Sequence, residues 1–546
     1  MAIPNFAADF TWDLAAYTTF ACWVVYAACL GVYRLWYSPI AHLPGPKLAA
    51  LTQYYEFYYD IILGGQYTFR IVEMHKQYGP VVRISPWEVH VSDHDFHSEL
   101  YPGPHRRRHK WLFWAKQVRK LPTFACHCTE HLLTRCSSER LVCVTDNVTA
   151  ASPNSALDSG LATLDHDHHR LRRTPLNQFF STKSVRNLQP IIEERVDQLL
   201  RRLRREGQDR PTEPLDLMYP FSAYTNDVIN EYAFARSDHL IEEPDFGAAT
   251  TNSLLKGTHM GPIIKHMNWA LTLVNALPES VSGRWVPGWD GWLKLKNDVL
   301  GQIRDIKATQ GTKNWELNVD HPTIFHELLS SEMLPDVEKQ TDRLAQDGQI
   351  LVQGGTLTTS WALALAVFHL CHRPETLKKL RDELFEAIPN ANEVVPLAQL
   401  ESLPYLRAVI KETLRHSVGT SSRLSRIAPD ESFDVADLDT GRSYHIPAGT
   451  VVSMSPYRTI MDASIFADPL VFRPERWLNE DERLDGYMIM FGGGTRVCLG
   501  QALAQAELHL MLAKLFRRWD CEMAADYFIP MPYKGSKGLR FLLEAF

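Results

Sequence analysis

One loop of the sequence presents a single cysteine in surroundings that suit cofactor chemistry. Residues 491–500 read FGGGTRVCLG, and a helix is predicted to begin near Leu499, directly after Cys498. The N–H groups at a helix N-terminus favour a thiolate and lower its pKa. The glycines let the backbone approach a large, flat group without Cβ clashes. Arg496 indicates that an anionic group lies nearby.

Charged residues at helical spacing form two further candidate sites. Glu412 and Arg415 lie three residues apart on a helix predicted over 405–416, so they share one face and can pair. His169 and Arg173 lie four residues apart in the basic segment HDHHRLRR. This second pair is interpreted either as an anion-binding face or as a solvated basic face.

Small and hydroxylated residues interrupt an apolar helix predicted over 340–371. The segment QGGTLTTS contains Gly354 and Gly355, followed by Thr358 and Thr359. Glycines here would let a diatomic molecule lie against the backbone, and a local kink would free a carbonyl group. A packing role for the two glycines is the alternative interpretation.

The elements that must position these residues are mainly helices. Apolar periodicity predicts long helices at 184–206, 340–371, 374–387, 405–416 and about 499–518. Short strands are predicted at 81–84, 88–91 and within 444–453. Neither an internal repeat nor a low-complexity linker divides the chain. The predicted fold class is therefore mainly α with minor β-sheets, in a single large domain.

The N-terminal region is predicted to be a membrane anchor. Residues 14–33 carry no charge, and about 20 apolar residues suffice to cross a bilayer as a helix. The only charges in residues 1–13 are acidic, whereas Arg34 follows the span, so 1–13 are expected to be luminal and the rest cytoplasmic. The LPGP motif in 34–47 indicates a stiff hinge before the domain at 48–546. A buried core helix is the alternative for the span.

Composition excludes several classes of protein. The chain has 546 residues, of which 45% are hydrophobic and 22% are charged, and this is ordinary for a globular protein. A net charge of −7 gives no basic excess for binding nucleic acid. Nine cysteines, an odd number, argue against a fully paired extracellular framework.

The stretch 118–153 fits neither helical nor strand periodicity and contains four of the cysteines. Cys126, Cys128 and His131 could bind zinc, although their spacing differs from a C-x-x-C knuckle. A surface loop insertion is a second interpretation. A retained intron is a third, because the codons of Val118 to Lys120 can form a fungal donor splice site. Sequencing of spliced cDNA tests this third interpretation.

The cysteine loop resembles the F-x-x-G-x-R-x-C-x-G signature of the cytochrome P-450 superfamily. All five fixed positions match, namely Phe491, Gly494, Arg496, Cys498 and Gly500. The resemblance implies that Cys498 is the axial thiolate ligand of the iron of a b-type haem. The missing C-x-x-C-H motif already excludes haem attached covalently through cysteines.

The same family explains the charged motifs. Glu412 and Arg415 match its E-x-x-R element, and FRPERW resembles F-x-P-E-R-F, which places Arg476 with them in a buried cluster that supports the thiolate loop. By resemblance, a second set of residues binds the two haem propionates: His169, Arg173, Arg426 and Arg496.

The glycine–threonine segment resembles the family's oxygen-activating helix, whose pattern is A/G-G-x-D/E-T-T/S. The resemblance gives Gly355, Thr358 and Thr359 catalytic roles, with Thr358 as the threonine that passes protons to iron-bound oxygen. The chain departs from the pattern at Leu357, where Asp or Glu is usual. Either water held by Thr358, Thr359 or Ser360 supplies the proton, or the proton path differs.

The resemblance to the family extends from the Pro-rich hinge to residues 537–539, except for 118–153. The segments Tyr33 to Lys47 and Gly64 to Phe69 look most like fungal microsomal members of secondary metabolism, trichodiene-oxygenase-like ones among them. This implies location in the endoplasmic reticulum membrane, O2 as co-substrate and electrons from NADPH through cytochrome P-450 reductase, with cytochrome b5 as a second donor. The expected reaction is hydroxylation or epoxidation of an apolar metabolite, with a terpenoid favoured and a polyketide or indole product next. Two alternatives are a reductase-independent haem-thiolate isomerase or dehydratase and a catalytically impaired haem-binding membrane protein.

Overall fold

A computed structural model describes most of the chain outside its termini. The described residues are 12–115, 159–209, 215–285, 289–310, 323–419, 422–438, 440–478 and 482–519. The hypotheses for 118–153, namely a zinc site, a surface loop and a retained intron, therefore fall outside the described residues.

Helices account for most of the described residues. The first half contains α1 Trp12–Val32, α2 Lys47–Leu51, α3 Tyr54–Phe57, α4 Tyr67–Tyr78, α5 His97–Leu100, α6 Leu112–Ala115, α7 His166–Asn177, α8 Thr182–Asn187, α9 Gln189–Asp209, α10 Met218–Phe234 and α11 Ala248–His266. The second half contains α12 Asn268–Ala276, α13 Glu279–Trp285, α14 Trp289–Thr309, α15 Ile324–Ser330, α16 Thr341–Cys371, α17 Pro374–Ala387, α18 Leu397–Ser402, α19 Pro404–Ser417, α20 Pro456–Ile460, α21 Glu482–Gly486 and α22 Gln501–Arg518.

Seven short strands form two sheets in the described part of the chain. They are β1 Val81–Arg83, β2 Glu88–Val91, β3 His109–Lys110, β4 Arg426–Ile427, β5 Phe433–Asp437, β6 Arg442–Ile446 and β7 Val451–Ser453. The larger sheet has the order β1-β2-β7-β4-β3, with β2 and β7 parallel and the other pairs antiparallel. The hairpin β5–β6 forms the second sheet. The predicted fold class, mainly α with minor sheets in one large domain, is confirmed.

Helix α16 runs through the core and positions the candidate site. It packs against α10 and α14 along one side and against α19 and α22 along another. Close contact with α14 depends on Gly348, because a Cβ atom there would lie 2.6 Å from Val299 Cγ1. Helix α16 therefore connects the cysteine-bearing region before α22 with the charged motif on α19.

The helix predicted at 184–206 is two helices in the structure. Helix α8 ends at Asn187 and α9 begins at Gln189, with Leu188 as the C-cap of α8. Pro190 accounts for the interruption, because its ring fits the first turn of a new helix and cannot continue an existing one.

The N-terminal helix has the properties of a membrane anchor. The stretch Ala15–Tyr37 has a mean hydropathy of 1.5 and is not buried inside the protein. Helix α16 passes the same length and composition test, but 56% of its most apolar window is buried in the core. The alternative of a core helix is therefore wrong for the N-terminal segment, whose side chains remain exposed.

The hinge after the anchor lies against the larger sheet. Arg83 of β1 donates its backbone N–H to Pro44 O at 2.7 Å, and a Cβ atom on Gly45 would lie 2.4 Å from Arg83 O. The Arg83 side chain donates to Arg34 O at 2.8 Å, next to the end of the anchor. These contacts connect the segment after the N-terminal helix to the larger sheet.

Candidate functional site

The cysteine loop is a compact turn that precedes α22. Cys498 N donates to Phe491 O at 2.8 Å, which closes the loop, and the thiol is exposed. Gly494 has a φ of 63°, and a Cβ atom there would lie 2.4 Å from Pro102 O. A glycine is therefore needed at this position both for the backbone conformation and for the close approach of another segment.

The predicted lowering of the Cys498 pKa is wrong for the protein alone. Although Cys498 is solvent-accessible, the protein around the sulfur partly desolvates it and so raises the pKa of the thiol, and the Gly500 N–H and the Arg173 charge oppose this only in part. The reason is geometric, because α22 begins at Gln501 with Gly500 as its N-cap, so the sulfur lies beyond the first turn. A bound metal cation would supply the positive charge that a thiolate needs here.

Arg496 points away from the thiol towards the start of α7. Its guanidinium donates to Thr163 O at 2.8 Å, Leu164 O at 3.0 Å and Asp165 O at 3.2 Å. Burial and the nearby charge of Arg426 lower its pKa to about 9. The guanidinium thus holds the turn before α7 through backbone carbonyl groups. Among the described residues, no carboxylate forms an ion pair with it.

Helix α7 presents the predicted pair His169 and Arg173 to this region. Arg173 donates to Val497 O at 2.9 Å, so it contacts the cysteine loop directly. Burial and the charges of Arg496 and Arg173 lower the pKa of His169 to about 2, which keeps the imidazole neutral. The solvated-face alternative does not apply to His169, which is buried.

Two further basic residues, which no sequence motif indicated, lie in the same region as this pair. Lys110 of β3 is buried, and burial together with the charges of Arg496 and Arg426 lowers its pKa well below the usual range. Burial and Arg426 lower the pKa of His97, on α5, to about 4. Arg426 itself is buried on β4, with its guanidinium 5.2 Å from the Tyr101 ring centroid. We call His97, Lys110, His169, Arg426 and Arg496 the basic cluster.

The basic cluster fits a flat cofactor that carries carboxylates. Three buried nitrogen atoms of the basic cluster have no hydrogen-bond partner among the described residues: His97 Nε2, His169 Nδ1 and Arg496 Nε. Burial lowers the pKa values of all five members, and repulsion by a neighbouring cation adds to this for all except Arg426, so a dianion bound here would stabilise their charged forms. With Cys498 as a sulfur ligand, this donor set matches what haem requires of its protein. When bound, haem would supply oxygen activation at its iron.

The charged motif on α19 forms a dense buried cluster. Arg415 donates to both Glu412 oxygens, at 2.8 and 3.0 Å, and Arg476 Nε donates to the same carboxylate at 3.2 Å. Burial alone would raise the Glu412 pKa, but hydrogen bonds from His416 and Arg415 hold it well below its usual range. The structure therefore brings Glu412, Arg415 and Arg476 together, as the sequence predicted.

Trp477 adds a donor that the sequence analysis did not single out. Its indole N–H donates to Glu412 Oε2 at 2.8 Å, and the backbone N–H of Arg473 donates to Oε1 at 2.9 Å. The family pattern has phenylalanine at this position, and phenylalanine cannot donate a hydrogen bond. The signal in the sequence was therefore the tryptophan at 477 in place of phenylalanine.

The two glycines of α16 have different surroundings. A Cβ atom on Gly355 would lie 2.8 Å from Ile229 Cγ1 of α10, so helix packing requires this glycine, whereas Gly354 faces open space. Thr358 lies on the same face as Gly354, is exposed, and donates to Gly354 O at 2.7 Å. The packing interpretation therefore applies to Gly355, and its catalytic role stays a prediction.

Helix α16 is continuous through this segment, so the expected kink is not present. Thr225 of α10 donates to Thr356 O at 2.9 Å, which engages a carbonyl without breaking the helix. Leu357, at the position of the usual acid, packs in an apolar cluster with Met218 and Leu254. A carboxylate at this position would be buried without a partner in that cluster.

Glu338 attaches α7 to the start of α16 and was also missed. It accepts hydrogen bonds from His168 at 2.6 Å, from Arg172 at 2.8 Å and from Arg343 at 2.9 Å. Burial would raise its pKa, but these partners lower it to about 2. Glu338 thereby fixes the helix that carries His169.

We expect Glu338 to contribute to stability in a pH-dependent way. Because its pKa is lower in the folded state than its ordinary value of 4.5, the contribution is complete above 4.5 and is lost as the pH falls towards 2. Glu338→Gln should lower the thermal unfolding midpoint at neutral pH and flatten its decline between those pH values. Exposed Glu386, changed to Gln, is the control. An unaltered pH profile in Glu338→Gln would contradict this assignment.

Comparison with known proteins agrees with the fold and the site. A sequence model described as cytochrome P450 matches residues 140–543. The cytochrome P450 monooxygenase tpcC of Cochliobolus heterostrophus is 38% identical over 95% of each chain. The N-acetyltryptophan 6-hydroxylase of Emericella nidulans is 36% identical, covering 95% of this chain and 96% of the relative. The tryptophan 6-hydroxylase of Fusarium equiseti is also 36% identical, over 94% of each chain.

A mainly helical domain with a cysteine loop facing a buried basic cluster defines an enzyme that works with a thiolate-ligated haem. The chain belongs to the cytochrome P450 family, and it is a cytochrome P450 monooxygenase. Membership implies a haem with a cysteine thiolate ligand and electrons from a redox partner.

Proposed function

We propose that this enzyme hydroxylates or epoxidises an apolar secondary metabolite in a fungal biosynthetic pathway. The observation that carries the proposal is the exposed Cys498 thiol on a loop held by Arg173, with the basic cluster beside it. Cys498 would ligate the haem iron, and Arg426, Arg496, His169 and Lys110 would hold the propionates.

The exposed, apolar N-terminal helix supports a location in a membrane. Residues 14–33 would cross the endoplasmic reticulum membrane once, with 1–13 luminal, 34–47 as the hinge and 48–546 cytoplasmic. This topology places the catalytic domain beside a membrane-bound NADPH–cytochrome P450 reductase. Cytochrome b5 would be a second electron donor.

For the substrate, two relatives favour an indole. They are named for hydroxylation of tryptophan and N-acetyltryptophan at position 6. The sequence analysis favoured a terpenoid, and this class stays second because no described contact selects it. Predominantly apolar lining would suit either class.

Turnover with a panel of substrates tests the proposed function. Purified protein with reductase and NADPH is offered indole, terpenoid and polyketide candidates, and product and NADPH consumption are measured. The proposal expects an oxygenated product only when NADPH and reductase are present. A product formed without NADPH and reductase would instead establish an isomerase or dehydratase. Protein that binds haem but forms no product from any candidate would indicate a catalytically impaired enzyme.

Thr358 is expected to control how efficiently NADPH is used. Its hydroxyl is the exposed hydrogen-bonding group on the face of α16 that also carries Gly354. Thr358→Ala should raise peroxide release per NADPH consumed about tenfold, because a positioned proton-transfer group supplies roughly 10²-fold or more in rate. Thr174 of α7, which is exposed and makes the same kind of bond to Arg170 O at 2.8 Å, is the control as Thr174→Ala. Unchanged coupling in Thr358→Ala would exclude this role.

A further inference from the structure

A buried network of charged side chains lies where the end of α11 meets α3. Lys265 and His266 are the last two residues of α11. Glu56 belongs to α3, and Asp60 lies in the π-helical turn Tyr58–Ile62 that follows it. Lys265 Nζ donates to Glu56 Oε1, and to Asp60 Oδ2 at 3.2 Å, while His266 Nε2 lies 3.3 Å from Asp60 Oδ2. None of these four side chains belongs to the basic cluster or to the charged motif on α19.

The charges of this network do not balance. Arg423 donates to both Glu88 oxygens, at 2.8 and 2.7 Å, and to Glu56 Oε1 at 2.8 Å. The carboxylates of Glu56, Asp60 and Glu88 therefore share two cationic partners, Arg423 and Lys265. One negative charge is left over in a place where Glu88 is fully buried and Glu56 is 1% exposed. Because an unbalanced buried charge is costly, the network favours additional positive charge.

Glu56 has an oxygen that the network does not use. Lys265 and Arg423 both donate to Oε1, whereas Oε2 is buried and has no hydrogen-bond partner among the described residues. Native proteins rarely leave such a group unsatisfied. A cation or a hydrogen-bond donor is therefore expected beside this oxygen.

The same residues have the ligand types and the spacing of a metal site. One ligand atom each of Glu56, Asp60 and His266 lie within 4.8 Å of one another. The rings of Phe57 and Phe113 both meet the His266 ring edge-on, with centroids 5.6 Å apart in each case, and so hold the imidazole beside Asp60. Two carboxylates and one imidazole suit Zn²⁺, which accepts mixed oxygen and nitrogen donors, better than Mg²⁺, which prefers oxygen alone.

We propose that Glu56, Asp60 and His266 form a zinc site in which the ion exchanges with the Lys265 ammonium. Lys265 lies at the end of a helix and has a long, flexible side chain, so it can leave the carboxylates and carry its charge to solvent. With Zn²⁺ in its place, the two charges of the ion and that of Arg423 balance the three carboxylates. The bound ion would join α11 to α3 and the following turn through metal–ligand bonds.

Zinc titration of the haem-loaded, full-length protein tests the site without turnover, so it does not depend on the monooxygenase reaction. Calorimetric titration of chelator-treated protein should show binding of ZnCl2 that MgCl2 does not reproduce. His266→Gln and Asp60→Asn should each weaken zinc binding about tenfold or more, because even residues that only support a metal ligand contribute roughly 10–100-fold. His445→Gln is the control, because His445 pairs with Asp434 at 2.8 Å in a similar way but at the surface. Wild-type zinc affinity in folded His266→Gln, or no zinc binding by the wild-type protein, overturns the proposal.

Lys265→Met tests the exchange itself. In this variant no ammonium competes for the carboxylates, and Glu56 and Asp60 lack their resident counter-charge. We therefore expect the folded variant to bind Zn²⁺ with a lower dissociation constant than the wild-type protein. Equal or weaker binding would exclude exchange with Lys265.

X-ray absorption at the zinc edge distinguishes this site from the cysteines of the chain. Bonds from zinc to oxygen or nitrogen measure about 2.0–2.2 Å, whereas bonds from zinc to sulfur measure about 2.3 Å. We expect a spectrum that oxygen and nitrogen ligands fit alone. A spectrum that requires sulfur would place the ion on cysteines such as Cys126 and Cys128 and would contradict the proposal. Because the haem iron absorbs at a different edge, this measurement on the loaded wild-type protein also decides where a variant does not fold.

Discussion

Replacing Cys498 by alanine is expected to abolish oxygenation and the spectrum of a thiolate-ligated haem while haem is still bound. The basic cluster would hold the propionates independently of the sulfur, because its members lie on α5, α7, β3, β4 and in the loop at Arg496. Haem content should therefore persist in part. Turnover should fall to background, because the thiolate donates the electron density that favours O–O cleavage.

A matched control for this substitution lies in the anchor. Cys29 is also a free, exposed cysteine, so Cys29→Ala removes a thiol without touching the site. The control should keep the wild-type reduced-CO band, haem content and activity. Oxygenation by Cys498→Ala with an unchanged band would contradict the assignment of Cys498 as ligand.

Replacing Glu412 by alanine is expected to give little or no haem-loaded protein. The carboxylate accepts hydrogen bonds from Arg415, Arg476, Trp477 and the Arg473 backbone, and both Glu412 and Arg415 are fully buried. Removing the anion leaves two guanidinium groups without their counter-charge, which costs about 3–5 kcal/mol in a buried pair. That is a large part of a domain's stability of about 5–15 kcal/mol.

Glu401 provides the control for Glu412. It pairs with Arg186 at 2.5 Å, but this pair lies at the surface. Exposed pairs contribute about 0–1 kcal/mol, so Glu401→Ala should load haem normally. A stable Glu412→Ala protein with full haem content and an intact reduced-CO band would show that the buried cluster does not support the cysteine loop.

The parts of the site that the sequence predicted correctly depend on short-range spacing. Glu412 and Arg415 share a helix face whatever the tertiary structure, and Cys498 stands in a local loop closed by Phe491 O. Residues 14–33 could be read as an anchor because hydropathy over one helix is a local property. These features required no knowledge of which elements pack together.

The residues that the sequence did not reveal act through long-range contacts. Lys110 joins the basic cluster because β3 pairs with β4, far along the chain, and Glu338 binds α7 to α16. Neither relationship leaves a periodic pattern in the sequence.

One prediction failed because a local rule was applied without the surrounding protein. The helix N-terminus was expected to lower the Cys498 pKa, yet the sulfur precedes the N-cap Gly500, and desolvation outweighs the nearby N–H group and charge. At Gly355, the contact with Ile229 supports the packing interpretation, which depends on how α16 lies against α10.

The central claim is that Cys498 provides a thiolate ligand to a haem held beside it by the basic cluster. The reduced-CO difference spectrum of the purified wild-type protein tests this claim most directly. We predict the red-shifted Soret band that thiolate ligation gives to the CO complex, lost on substitution of Cys498 and retained on substitution of Cys29. A wild-type spectrum typical of imidazole-ligated or neutral-thiol-ligated haem would contradict the claim.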